Sequence, residues 1–120
     1  MVELDAASLD LARFIRPGDT VVVAQASSEP LTLAEALVAQ AERLGAVTVI
    51  IGATWSDSFV PHQAPGFRYV SYGALGANAR LARAGRLDVV PCHYSQLPWL
   101  FESGTWRADV VLIGLSPAAD

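Results

Sequence analysis

The chain has 120 residues, one ordinary domain able to bury a core without metals or disulfides, and its formal net charge of −4 disfavours a nucleic-acid partner held by phosphate contacts. Hydrophobic residues make up 52% of it, which is apolar for a soluble domain, yet no segment reaches the ~20 uninterrupted apolar residues of a membrane span. The opening MVELDAASLDLARF is acidic where a signal peptide would be basic, so the expected location is cytoplasmic.

Leu4, Leu9, Leu11, Ala12 and Ile15 fall at roughly helical spacing, predicting an N-terminal helix over 5–14 that ends before Pro17. Arg16-Pro17-Gly18-Asp19 is a turn, and the β-branched run from Thr20 to Val23 is a strand of the kind a sheet covered on both faces requires. The next helix carries its apolar stripe on Leu33, Ala36, Leu37, Gln40, Ala41 and Leu44 and stops at Gly45. Its start reads as a capping box, with Thr32 and Glu35 satisfying each other's backbone N–H groups.

Val47 to Ile51 is a second buried strand, too apolar to have a wet face. Residues 52–65, GATWSDSFVPHQAP, are the least regular part, a loop held down by Trp55, Phe59 and Val60. A third strand is expected over 67–72, a short helix over 74–84, and a fourth strand over 87–90 that Pro91 stops. Residues 95–102 read as a helix with Pro98 in its first turn, and 109–115 as a fifth strand. Strands alternate with helices throughout, so the fold class expected for residues 1–120 is a single α/β domain with an open, mainly parallel sheet and helices on both faces. The strand order is not legible, and neither an internal repeat nor an interdomain linker is visible.

In such a domain ligands meet the carboxyl ends of the strands, which directs attention to Gln25, Ser27, Ser28, Glu29 and Pro30 between the first strand and its helix. That loop has no glycine, so it carries neither GxGxxG nor a P-loop, and a nicotinamide or ATP site is not expected. Ser27 and Ser28 lack the G-x-S-x-G elbow and read as loop or capping hydroxyls. Cys92, the sole cysteine, cannot form an internal disulfide, and as sequence neighbours in an extended segment Cys92 and His93 point to opposite sides. They read as a packed thiol and a loop histidine, and His62, Cys92 and His93 have no metal-ligand spacing. Glu29 has both a structural reading, a carboxylate at a helix start, and a substrate-facing one. Asp109 reads as a turn or edge acid, and Trp99, Phe101 and Trp106 as core or interface aromatics. The residues thus complete no recognised active site, and the apolar excess leaves room for a reading in which another element covers part of the surface.

Three segments in register resemble the acetyl-CoA hydrolase/transferase family, the class I CoA-transferases that include 4-hydroxybutyrate and acetate CoA-transferases. They are Ile15-Arg16-Pro17-Gly18-Asp19-Thr20-Val21 with Glu29-Pro30 and the leucine-rich helix; Gly85 through Val90-Pro91, His93-Tyr94-Ser95, Pro98 and Gly104; and Ala108 to Ile113 with Leu115-Ser116-Pro117 and Asp120. The resemblance covers nearly the whole chain and implies the N-terminal half of a two-half enzyme whose site forms between two α/β units. It implies that a glutamate of the other half attacks an acyl-CoA thioester, passes through a mixed anhydride and becomes a glutamyl-CoA thioester, before a carboxylate or water completes the exchange. CoA thioester is then a substrate, no cofactor is tightly bound, and the expected partners are an acyl-CoA, a small carboxylate and a second half or subunit in an oligomer. Many relatives have a glycine-containing loop where this chain has Ala24-Gln25-Ala26-Ser27-Ser28. No catalytic residue is expected in this chain. Gln25 to Pro30, the loop from His93 to Ser95, and Ser116 and Pro117 are expected on the substrate-facing edge. The competing expectations are a non-catalytic binding or interaction module of the same fold, and a stand-alone hydrolase using Cys92 or Ser28.

Overall fold

Five short runs, mostly of β-branched and apolar residues, form the sheet of the computed structural model, which describes residues 2–118. The strands are β1 Thr20–Val23, β2 Val47–Ile51, β3 Phe67–Ser71, β4 Leu87–Val89 and β5 Val110–Leu112. All neighbours pair in parallel, in the order β4-β3-β2-β1-β5. The fold is therefore the expected α/β class with an open parallel sheet.

Side chains alternate between the two faces of a strand, and here the alternation separates two cores. On one face Val21, Val23, Val49, Ile51, Phe67, Tyr69 and Leu112 bury against helices α1 (Leu31–Ala39) and α2 (Ala41–Leu44), with Leu11 and Ile15 from the N-terminal segment. Helix α3 (Ala79–Arg83) adds the fully buried Leu81 to the same core. On the other face Ile50 and Val70, with Val22 beside them, meet Leu100 of helix α4 (Leu97–Glu102) and Trp106. Further along that second face Thr20 and Thr48 pair in register with Arg68, whose guanidinium makes an exposed ion pair with Asp88. This end of the second face is therefore polar while its middle is apolar.

The link from β1 to β2 crosses the first face, whereas the link from β4 to β5 crosses the second face in the opposite direction along the sheet. Changing face and direction together keeps one hand of crossover. The reversal leaves a switch point between β1 and β5, at whose carboxyl ends open α/β sheets bind ligands. Between β2 and β3 no helix forms; Phe59 and Ala64 bury into the first core in its place. The Arg86 guanidinium holds that loop, donating to the carbonyls of Pro61, Ala64 and Phe67 at 2.6, 3.0 and 3.0 Å.

Several expected elements differ from those observed. The N-terminal segment is not one helix but two 3-10 turns, Ala6–Ser8 and Leu11–Arg13, because Asp5 and Asp10 each accept the backbone N–H two residues on and cap a new turn. The capping box is not formed: Pro30 stands at the N-cap, Leu31 already lies in the helix, and Thr32 falls inside its first turn. Gln40 is not part of an apolar stripe. Its amide donates to Leu9 O at 2.8 Å and accepts from Leu11 N–H at 2.9 Å, and the break between α1 and α2 falls there.

The helix expected over 74–84 is confined to α3, since Gly76 adopts φ +60 to bridge Thr54 and Asn78 turns inward. The segment expected as a helix over 95–102 begins with a 3-10 turn, Tyr94–Gln96, before α4, and the fifth strand is shorter than expected. Trp55 does not anchor its loop: it is 71% exposed, while Phe59 is buried. Among the described residues no helix is long and apolar enough to cross a membrane.

Candidate functional site at the carboxyl edge of the sheet

Gln25 leaves the end of β1 and turns back over the end of β2. Its Oε1 accepts the Ala53 N–H at 2.9 Å and the Tyr72 hydroxyl at 2.7 Å. Because a backbone N–H can only donate, this pairing fixes which end of the amide is oxygen. Nε2 then faces Tyr94, with a long contact of 3.4 Å to its hydroxyl. The Tyr72 and Tyr94 rings meet edge to face, centroids 5.9 Å apart. Gly52 lies directly beneath the Gln25 side chain, where any Cβ would collide with the amide.

The loop after β1 is tied to both neighbours. Ala26 N–H donates to Ala53 O at 2.9 Å on the β2 side, and Gly114 N–H donates to Ser28 O at 3.0 Å on the β5 side. Ala26 holds φ +53, a conformation glycine adopts without strain and alanine only at a cost of about 1–2 kcal/mol. These two ties, one to each neighbouring strand's loop, hold the loop in that shape, so the absence of glycine is compensated by tertiary hydrogen bonds.

Glu29 faces the loop after β2. It accepts the Trp55 N–H at 3.3 Å and a short hydrogen bond from the Ser56 hydroxyl, whose other contact is Ser58. Its carboxylate thus clasps two loops together. Behind it, the buried Asn78 donates to Gly52 O and accepts the Thr54 hydroxyl at 2.7 Å, fixing the loop from below.

The edge accordingly gathers Gln25, Ser28 and Glu29, while Ser27 is exposed beside them and Pro30 is buried at the start of α1. His93 and Ser95 are exposed, and from their loop it is Tyr94 between them that reaches Gln25. Ser116 and Pro117 are exposed beyond β5, and among the described residues no hydrogen bond joins them to the first loop. Tyr94 lies within the His93–Ser95 loop expected at this edge, whereas Tyr72 and Ser56 were not singled out from the sequence, although the strand-to-loop position of Tyr72 was a usable signal.

Among the described residues no group of three His, Cys, Asp or Glu is placed to hold a metal. Cys92 packs beside the second core while His93 is exposed, in keeping with a packed thiol rather than a dyad. Asp109 lies at the opposite end of the sheet, accepting Thr20 N–H at 2.8 Å and pairing with Arg107 at 2.9 Å. The Thr20 N–H, aided by Arg107, holds its carboxyl below the usual value, and its role is to start the β1–β5 pairing. Phe101 and Trp106 stack edge to face at 5.7 Å over the second core, whereas Trp99 is exposed.

Between α4 and the second face lies a cavity of about 180 Å³, lined by Val22, Ile50, Leu97, Phe101 and Trp106, with Gln25 and Tyr72 at its outer end. Compared with known proteins, the chain matches no protein-family model and no curated protein.

Proposed function

We propose that this chain is the N-terminal half, or a separately encoded subunit, of a CoA-transferase or acyl-CoA hydrolase, and that it forms one wall of a shared acyl-CoA site. The observation that supports this reading is a polar carboxyl edge, fixed by hydrogen bonds around Gln25, that among the described residues holds no nucleophile–base pair. The reacting glutamate then belongs to the second half. Its carboxylate oxygen bonds to the acyl carbon and expels CoA thiolate; the thiolate attacks the glutamyl carbonyl of the resulting anhydride and releases the acyl group as a carboxylate. An incoming carboxylate reverses these steps, or water hydrolyses the glutamyl thioester. In this scheme the Gln25 and Tyr94 donors position the thioester, and the attacking carboxylate comes from the second half.

Mixing the purified chain with acyl-CoA, a carboxylate acceptor and a chain supplying the glutamate-bearing half is expected to give turnover that neither component gives alone. Turnover by this chain by itself would overturn the reading. A second reading, a non-catalytic interaction module, draws support from Glu29 being engaged in loop closure and from Val111, Ile113 and Leu115 being exposed at the β5 edge. It predicts a stable complex whose activity is unchanged by Ser28→Ala or Tyr94→Phe.

A further inference from the structure

Between α4 and the sheet lies an open apolar slot, whose outer end shares Gln25 with the wall proposed above for an acyl-CoA site. Its walls are the Val22 and Ile50 side chains of the sheet and the Leu97, Phe101 and Trp106 side chains above them, with no charged residue in the lining. At about 180 Å³ it is comparable to the apolar cavity of about 150 Å³ that takes up one benzene ring. A single ring or a chain of about five or six carbons is the size that fits.

At the outer end the polar side chains are the Gln25 amide and the Tyr72 hydroxyl. Gln25 Oε1 is occupied by two donors, Ala53 N–H and the Tyr72 hydroxyl. Its Nε2 carries two protons and has a single, long contact, to Tyr94. Accepting that contact leaves the Tyr94 hydroxyl proton free to donate. At the mouth the Gln25 amide therefore has vacant donor capacity and no vacant acceptor, with the Tyr94 hydroxyl next to it just outside the lining, which favours a ligand head that accepts. No arginine, lysine or histidine lines the slot, and Glu29 is in the same loop, so a carboxylate would be desolvated there without a countercharge.

We propose that the α4 slot binds a small uncharged carbonyl compound, an amide, ester or thioester with a short apolar tail. The tail lies against Val22, Ile50 and Trp106, and the carbonyl oxygen accepts from Gln25 Nε2 and the Tyr94 hydroxyl.

Hexanamide, hexanoate and hexylamine, titrated against the whole chain and followed by Trp106-dependent fluorescence and amide NMR shifts, test this. Hexanamide is expected to saturate with shifts at Val22, Ile50 and Gln25, and to bind at least 10-fold more tightly than the other two. Tyr94→Phe, at a mostly exposed position, is expected to weaken hexanamide several-fold with the fold intact, and Val22→Phe to abolish binding by filling the slot. No saturable binding of hexanamide to the wild-type chain, equal binding of hexanoate, or hexanamide affinity unchanged by Tyr94→Phe would each overturn the proposal. All of these readouts are independent of CoA turnover, so failure of the acyl-transfer reading leaves them unaffected.

Discussion

The side-chain oxygen of Gln25 accepts the backbone N–H of Ala53 across the ends of two neighbouring strands, at 2.9 Å. The same oxygen takes the Tyr72 hydroxyl, so one amide satisfies donors from the ends of β2 and β3. Gln25→Ala leaves both donors without their acceptor, and each loss costs about 1–3 kcal/mol where water cannot fully replace it. The expected result is a fall of roughly 2–4 kcal/mol in unfolding free energy by urea titration, with an unchanged slope. Gln25→Glu keeps the acceptor and is expected to lose less. A loss below about 0.5 kcal/mol in Gln25→Ala would show that the loops hold without this side chain.

At the opposite end of the sheet, Asp109 gives a pH signature. Its folded pKa is lowered from 3.8, chiefly by the Thr20 N–H it accepts and further by Arg107. A depressed carboxylate pKa contributes stability that is present above the unfolded value and is lost as pH falls through the folded one. The Thr20 amide resonance is expected to titrate with a midpoint below 3.8, and the acid-side loss of stability to be shallower in Asp109→Asn. A midpoint at or above 3.8 would contradict the assigned role.

The five strands were legible because most of their residues are β-branched or apolar and turn residues bound them, and the burial of Val47, Val49, Ile50 and Ile51 followed from Thr48 being that strand's one polar residue. What was not legible depends on long-range partners. Thr32 and Glu35 have capping-box spacing, but Pro30 advances the helix start by one residue and removes the geometry. Gln40 occupies an apolar-stripe position, and only the backbone of Leu9 and Leu11 makes it a clamp. The same holds at the edge: the first loop was located by its place after β1, whereas Tyr72 and Tyr94 join it through contacts spanning 47 and 69 residues.

Tyr69 is buried in the first core, its ring edge to face with Phe59 at 5.6 Å and with Phe67 at 6.3 Å. Its hydroxyl has no hydrogen-bond partner among the described residues. Burial pushes its pKa up to about 12, against an opposing pull from Arg86. For an acid held neutral in the fold, the stability is complete below the unfolded pKa of 10.0 and is lost as pH rises toward 12. Absorbance at 295 nm should show one tyrosine ionising near pH 12, identified by its disappearance in Tyr69→Phe. That variant removes an unpartnered buried hydroxyl and is expected to change stability by less than about 1 kcal/mol at neutral pH. A loss of several kcal/mol would mean the hydroxyl has a partner in solution.

Arg86 is placed to hold the long helix-free loop, since its guanidinium reaches the carbonyls of Pro61, Gln63, Ala64 and Phe67 while lying 5.4 Å from the centre of the Tyr69 ring. A planar fork can serve several carbonyls at once; a lysine ammonium is a single point charge and cannot reproduce that spread. Arg86→Lys keeps the charge but is expected to lose about 1–3 kcal/mol from the free energy of opening this loop, not of unfolding the sheet, because most of these carbonyls lose their donor. The loss should be local before it is global. Amide exchange is expected to quicken at Gln63 and Phe67, whose N–H groups bond within this loop, while the β1 and β2 amides keep their protection at the level set by global unfolding. Uniform acceleration across the sheet would instead mean that Arg86 supports the whole core, and unchanged exchange at Gln63 and Phe67 would mean that Phe59 and Ala64 hold the loop by burial alone.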